Sequence, residues 1–473
     1  MSTTEHSSQS TAQDNVYLAG AFAPVDQEVT AFDLAVIGEL PAELSGRYVR
    51  NGPNPVGDVD PTKHHWFVGD GMVHGVRLDG GRAAWYRNRF VGSSRLSALR
   101  DQPDIPGPNW NNSDLGPNTN VGGFAGRTWA MVEAGGVPVE LGYELETIGR
   151  NDFDGTLPGA FSAHPKFDPD TGELHAMAYA WAQWLDHVQY VVVGPDGKVT
   201  RTVDIPLPGM TMLHDMSLTE RYAVVYDQPV TVDLDLAFAG YSFPFRWDPD
   251  YGNRVGLLPR DGDAGDIVWI DVPLGYTFHP MNAFDTPDGK VVIDLCNYET
   301  MFATDRLGPF GDAALSRLER WELDPGRRTA SITVIDDTAN EFPRHRGSLS
   351  TKPYRFGYCA APSYAGTGGW PTLKHDLTTG ERRVFDHGPG RAGGEPVFVA
   401  RDGAADEDDG WLITLVHDLD GTNTELVVLD AQEFDRRGYV ARVPLPQRVP
   451  LGFHGNWVSD RSVPPAPSAA EPR

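Results

Sequence analysis

Cysteine is nearly missing from this chain: Cys296 and Cys359 are the only two among 473 residues. Two thiols cannot supply the disulfide framework of a small secreted domain, so a reducing cytoplasm is the expected setting. Basic residues are also scarce, 39 Lys and Arg against 66 Asp and Glu, for a net charge of −27. Binding a phosphate backbone takes cationic patches, so nucleic acid is excluded as a partner and the acidity is read as solubility. No stretch approaches the roughly 18 consecutive apolar residues of a membrane-spanning helix. The opening MSTTEHSSQSTAQDN lacks the apolar core of a signal peptide, and residues 1–15 are expected to be a disordered leader. The Pro- and Ala-rich stretch 462–473 is expected to be a disordered tail.

Helical periodicity is the fourth shortage. Only Ser94–Arg100 and Asp312–Arg320 read as short helices. Elsewhere β-rich runs such as QYVVVG, YAVVYD and TELVVLD alternate with turn signals at intervals of roughly 8–12 residues, the pattern of an all-β fold. Scattered Gly (52) and Pro (38) suit its many turns. Three segments, FDPDTGELHAMAY (167–179), WELDPGRRTASITV (321–334) and HDLTTGERRVFD (375–386), share one plan: strand, Asp, Gly-containing turn, strand. Recurring hairpins of this kind predict a radial array of blades, a β-propeller. Its inner strands all face one axis, so residues distant in sequence can meet there. No composition shift marks a linker, and residues 16–461 are read as one domain.

What is present is histidine, fourteen in all. Four of them, His164, His214, His279 and His454, sit among apolar or aromatic neighbours in AHPKFDP, MLHDMS, TFHPMNAFD and GFHGNW. A buried imidazole needs partners for both nitrogens, and a metal plus an acceptor behind it supplies both. His175, His187, His375, His387 and His417 lie in or next to hairpin turns and read as surface or turn residues; His345 reads as non-ligating. His64 and His65, read as strand neighbours, would point to opposite faces, and Gly69–Asp70–Gly71 would form a hairpin turn before His74. Those three read as structural or pocket-lining. Glu133, Glu341 and Glu395 stand in otherwise apolar surroundings, where an unpaired glutamate is rare. The residues alone leave both a metal centre and a set of satisfied core histidines open.

The ordered motifs GRYVRNGPNP (46–55), HHWFVGDGMVHGVRL (64–78), YRNRFV (86–91), GPNTNV (116–121), AHPKFDPDTGELH (163–175), LHDMSLTERYAVVYD (213–227), FHPMNAFD (278–285), EFPR (341–344), GEPVFV (394–399) and PLGFHGNWV (450–458) resemble the carotenoid cleavage oxygenases across nearly the whole chain. The resemblance implies a seven-bladed β-propeller, with a few short helices and loops capping the face that bears an axial iron. It implies one Fe(II) per chain, held by His164, His214, His279 and His454. Glu133, Glu341 and Glu395 match the carboxylates that orient three of the four imidazoles, and Thr119 matches the position beside a vacant coordination site. The implied partners are dioxygen and an apolar polyene, with no organic cofactor. The implied reaction cleaves a conjugated double bond of a carotenoid or apocarotenoid to two carbonyl products. Four neutral imidazoles leave up to two of six octahedral positions open for such chemistry.

Position 132 divides the family's branches. Stilbene-cleaving relatives carry Lys immediately before the first of these glutamates, where it binds a phenolic oxygen; this chain has Val132. The carotenoid branch is therefore expected. A stilbene-cleaving dioxygenase, an isomerase of retinyl esters and a non-catalytic ligand-binding propeller are the rival readings. Phe67, Trp110, Phe278 and Phe342 are candidate tunnel residues. The segment AFAGYSFPFRW (237–247), with the loop near Trp110, is the candidate for peripheral or transient contact with a membrane. Oligomeric state is left open.

Overall fold

The structure is a computed structural model that describes residues 15–109, 116–309, 316–362 and 368–465. These residues form seven sheets of four to six strands and one two-stranded sheet. The seven larger sheets are the blades of a propeller. Their innermost strands are Gly455–Ser459, Asn120–Phe124, Lys166–Phe167, Met216–Leu218, Tyr276–Asp285, Glu341–His345 and Val397–Ala400, for the first to the seventh blade. Neighbouring inner strands pack against one another around the axis.

Blade packing explains the apolar runs. Val291–Tyr298 in the fifth blade is buried at every position, because sheets of neighbouring blades cover both of its faces. The outermost strand of the same blade, Thr329–Asp336, mixes exposed and half-buried residues up to a buried Asp336. Strands near the axis thus read as continuous apolar segments and rim strands read as mixed ones. The three hairpins expected from the repeat fall in the third, fifth and sixth blades.

The ring is closed twice. C-terminal Gly455–Ser459 pairs with N-terminal Gly46–Pro53, from Gly46 opposite Ser459 to Arg50 opposite Gly455. Ile37–Gly38 then joins Tyr439–Pro444 at the rim of the seventh blade. Closure removes the free sheet edges that an open array would expose. Fully buried Arg47 ties the first blade to the second, donating to Tyr143 O at 2.7 Å and Thr128 Oγ1 at 3.0 Å.

Local expectations fared unevenly. Ser94–Leu99 is a helix capped by Ser93 Oγ, as expected. The described part of Asp312–Arg320 instead enters the strand Arg317–Asp324, where pairing with the fifth blade overrides local propensity. Residues 1–14 and 466–473, most of the expected leader and tail, lie outside the described residues. The inner ends of those two segments belong to the folded body. Asn15 is buried and donates to Pro61 O and His64 O, and Val463 packs against Val458 in a core cluster. Cys296 and Cys359 are free and buried. Among the described residues no helix is long and apolar enough to cross a membrane.

Candidate metal centre

Each blade delivers one of seven side chains to the axis. His454, His164 and His214 immediately precede or closely flank the inner strands of the first, third and fourth blades, and His279 lies within that of the fifth. Glu133 follows a strand of the second blade, Glu341 opens the inner strand of the sixth, and Glu395 precedes that of the seventh. The backbone is irregular where these side chains must turn inward. The register of Tyr276–Asp285 shifts on both sides of Pro280, which has no N–H to give to the ladder. The register of Glu341–His345 breaks between Glu341 and Arg344. Phe342 and Ala134, each just after a glutamate, have φ of +50° and +60°. Such positions cost about 1–3 kcal/mol each and persist only where the surroundings dictate them.

Four imidazoles converge on the axis. His164 Nε2 lies 2.9 Å from His454 Nε2, and His214 Nε2 lies 3.2 Å from His279 Nε2. The glutamates stand behind them. Glu341 Oε2 is 2.6 Å from His279 Nδ1, Glu395 Oε1 is 3.1 Å from His454 Nδ1, and Glu133 Oε1 is 2.8 Å from His214 Nδ1. The last contact is off the line of a hydrogen bond, and His164 Nδ1 has no hydrogen-bond partner among the described residues. A carboxylate at Nδ1 holds the ring proton there and leaves the Nε2 lone pair free. Where Nδ1 carries the proton, Nε2 lone pairs facing one another at these distances are suited to a shared cation. Adjacent ligands of an octahedral ion with metal–nitrogen bonds near 2.1 Å lie about 3.0 Å apart, so the spacing fits a metal. Nitrogen-only donors of this kind suit iron, copper, nickel or zinc.

The local electrostatics agree. Burial, then the neighbouring imidazoles, pull His164 well below the usual histidine range. Burial also opposes charge on His279, but the Glu341 carboxylate outweighs it and raises the pKa. Burial lowers that of His454, with Glu395 offsetting part of the effect. For Glu395, burial works against ionisation, yet Arg344 and His454 hold its carboxyl down to about 2. Ionised Glu341 and Glu395 therefore put negative charge behind His279 and His454, favouring a cation in front of them.

The centre borders an apolar cavity of about 190 Å³. Its walls include Trp66, Phe67, Phe243, Phe278, Phe342 and Phe453, with His214, His279 and His454 also at its surface. Three of the four expected tunnel aromatics line it, and Trp110 lies outside the described residues. Val132 lines it as well, as does Thr119, whose Oγ1 donates to Asn118 Oδ1 at 2.9 Å. Trp66, Phe243 and Phe453 were not among the expected tunnel residues; for Phe453 the signal was its place directly before His454. Arg344, 3.5 Å from Glu395 Oε1, was likewise missed, although it closes the EFPR motif.

Six of the remaining histidines require correction. His175, His375, His387 and His417 are buried, not surface residues. They are held by Tyr190, Asn340, Tyr439 and Val449 O respectively, away from the four converging rings. His64 and His65 lie in an irregular segment and not on a strand, and Gly69–Asp70 leads into the strand Gly71–Asp79 without forming a hairpin. His65 stacks on Phe243 behind the cavity wall, and His74 bonds Tyr86.

Comparison with known proteins accords with this geometry. The model of the retinal pigment epithelial membrane protein family matches residues 22–459. A Mycobacterium tuberculosis protein named carotenoid cleavage oxygenase is 42% identical, over 95% of this chain and 98% of its own. The crystal structure of a Pseudomonas brassicacearum lignostilbene dioxygenase superposes with a TM-score of 0.85 at 30% identity, covering 94% of this chain and 98% of its own. A Synechocystis apocarotenoid oxygenase mutant superposes with a TM-score of 0.83 at 29% identity, over 95% and 99%. The chain belongs to the carotenoid cleavage oxygenase family and is an enzyme of the oxygenase class.

Proposed function

We propose that this chain binds one Fe(II) through His164, His214, His279 and His454, and uses dioxygen to cleave a conjugated double bond of a carotenoid or apocarotenoid. The observation that carries the reading is the cluster of His164, His214 and His279, whose ring nitrogens lie within 4.8 Å of one another, with His454 Nε2 2.9 Å from His164 Nε2, beside an aromatic-walled cavity. The name of the Mycobacterium tuberculosis relative supports it. Ferrous iron, when bound, supplies the activation of dioxygen.

The chain's own residues do the rest. Glu133, Glu341 and Glu395 face Nδ1 of their imidazoles, which turns Nε2 toward the metal, and they offset part of its charge from behind. Phe67, Phe278 and Phe342 exclude water and hold a flat polyene by its apolar faces, so cavity shape sets which bond meets the centre. Thr119 borders the remaining approach to the metal. Its carbonyl accepts the His454 N–H at 3.2 Å, tying the two residues together. One dioxygen is consumed per double bond, and each of the two carbons leaves with one oxygen as a carbonyl. Val132 places a methyl-bearing side chain where a phenol-binding amine would stand in stilbene-cleaving relatives. Residues 16–461 act as one catalytic unit. Phe238, 86% exposed at the end of the helix Leu234–Phe238, gives the segment 237–247 a side chain for peripheral contact with lipid.

The test is incubation with a panel of carotenoids, apocarotenals and hydroxystilbenes under ¹⁸O₂, with mass identification of the fragments. Two carbonyl products from a polyene, each carrying label in a rapidly quenched sample, are expected. Cleavage of hydroxystilbenes alone would replace the polyene reading with the stilbene one.

A further inference from the structure

Two buried tyrosines stand behind the glutamates, one layer farther from the axis. Tyr179, just past the strand Leu174–Ala178, donates its hydroxyl to Glu133 Oε2 at 2.9 Å. Tyr298, at the end of the strand Val291–Tyr298, donates to Glu341 Oε1 at 3.0 Å. In each case the tyrosine takes one carboxylate oxygen and the imidazole Nδ1 faces the other. Both tyrosine rings also line the apolar cavity. Their exposures are 5% and 1%, so these hydroxyls have little access to solvent. Among the described residues no tyrosine hydroxyl donates to Glu395, the third carboxylate. Its second oxygen accepts the Gly455 N–H at 2.8 Å, and Arg344 stands 3.5 Å from the first.

We propose that Tyr179 and Tyr298 are positioning residues for the metal, acting through Glu133 on His214 and through Glu341 on His279. The inference rests on the metal-centre reading above. A buried carboxylate has two oxygens to satisfy, and an oxygen left without a donor carries a desolvation penalty. With one oxygen held by a phenol, the carboxylate cannot rotate away from the imidazole. The phenol also withdraws charge from it, so the carboxylate orients the imidazole without removing its proton. Burial, then the charge of Glu133, pushes the Tyr179 hydroxyl well above the usual phenol range, so it serves as a neutral donor. The arrangement also serves the cavity. With the hydroxyls committed to glutamates, the two tyrosines present ring carbon to an apolar substrate.

The test uses Co(II) as the probe, added to full-length metal-free protein in competition with a chelator, with its visible absorption followed. Tyr179→Phe and Tyr298→Phe keep the ring and remove the hydroxyl. Tyr226→Phe is the control, because that buried hydroxyl contacts Ser217 and, among the described residues, no glutamate. Each of the first two variants is expected to weaken cobalt binding about tenfold or more, the usual effect of losing a group behind a metal ligand. Each is also expected to shift the cobalt absorption bands, while Tyr226→Phe stays within twofold of wild type with unchanged bands. Melting of the metal-free proteins shows that all three variants are folded when they are compared. Cobalt affinity within twofold of wild type at either tyrosine, or an equal loss in Tyr226→Phe, would overturn the proposal. Failure of the wild-type protein to bind cobalt would instead count against the metal centre itself.

Discussion

Glu341 of the sixth blade reaches into the fifth to place Oε2 2.6 Å from His279 Nδ1. The same carboxylate accepts the Phe342 N–H at 2.7 Å and the Tyr298 hydroxyl at 3.0 Å. It is thus fixed by its own backbone, by a second blade and by the imidazole it orients. Substituting Glu341→Gln removes the charge but keeps the shape. Metal affinity is expected to fall 10- to 100-fold, as for other groups that hold a metal-bound imidazole. Chelator competition on the folded variant measures it, and affinity equal to wild type would show that Glu341 has no part in metal binding.

Acid should destabilise the fold through buried histidines that are not among the four converging rings. Burial, then Arg260, lowers His175 to about 3; burial, then Arg50, lowers His417 to about 3; burial, then Arg391, lowers His387 to about 4. The unfolded chain takes up these protons near pH 6.5 while the folded chain does not. Between those values the unfolded state binds more protons, so stability is full above pH 6.5 and is lost as pH falls toward 3 to 4. Each group adds up to about 1.4 kcal/mol per pH unit to the slope. Urea midpoints should be flat from pH 8 to 7 and decline steadily from pH 6 to 4.5. A flat profile over the lower range would mean that these rings titrate normally.

Substrate choice should respond to position 132. Val132 lines the cavity and is 9% exposed, so Val132→Lys would bring an ammonium group to an apolar wall. The variant is expected to lose at least tenfold in kcat/KM for a polyene while gaining relative activity on a hydroxystilbene. The ratio of the two kcat/KM values is the measurement. An unchanged ratio would remove Val132 from the specificity argument.

Ring closure should be a point of weakness. Val458 is 1% exposed in the strand that pairs the two ends of the chain. Val458→Asp would bury a charge without a partner and is expected to cost about 3 kcal/mol or more. Val458→Ile should cost less than about 1.5 kcal/mol. Thermal unfolding of the two variants separates loss of packing from burial of charge, and equal melting points would contradict the closure argument.

Much of this was legible in the sequence, for identifiable reasons. The hairpin plan at 167–179, 321–334 and 375–386 recurs because each blade needs the same tight turn, so the blade architecture could be read from composition and order. His164, His214, His279 and His454 stood out because imidazoles among aromatic neighbours need partners. His175, His375, His387 and His417 were misread because hairpin context says where a strand turns, not which face a neighbouring blade covers. Their tyrosine partners come from other strands and their asparagine and carbonyl partners from loops, and no local pattern announces them. Arg317–Arg320 went to a strand for the same reason. Tyr179 and Tyr298 were silent because their chemistry appears only once Glu133 and Glu341 lie opposite their hydroxyls.

The central claim is that the four converging histidines hold a catalytically required iron. The most direct test is iron content and polyene turnover of the purified protein before chelation, after chelation and after return of Fe(II), with His214→Ala alongside. The account predicts close to one iron per chain, loss of turnover with the metal, recovery with Fe(II), and neither iron nor turnover in His214→Ala. Full cleavage activity in iron-free protein would contradict it.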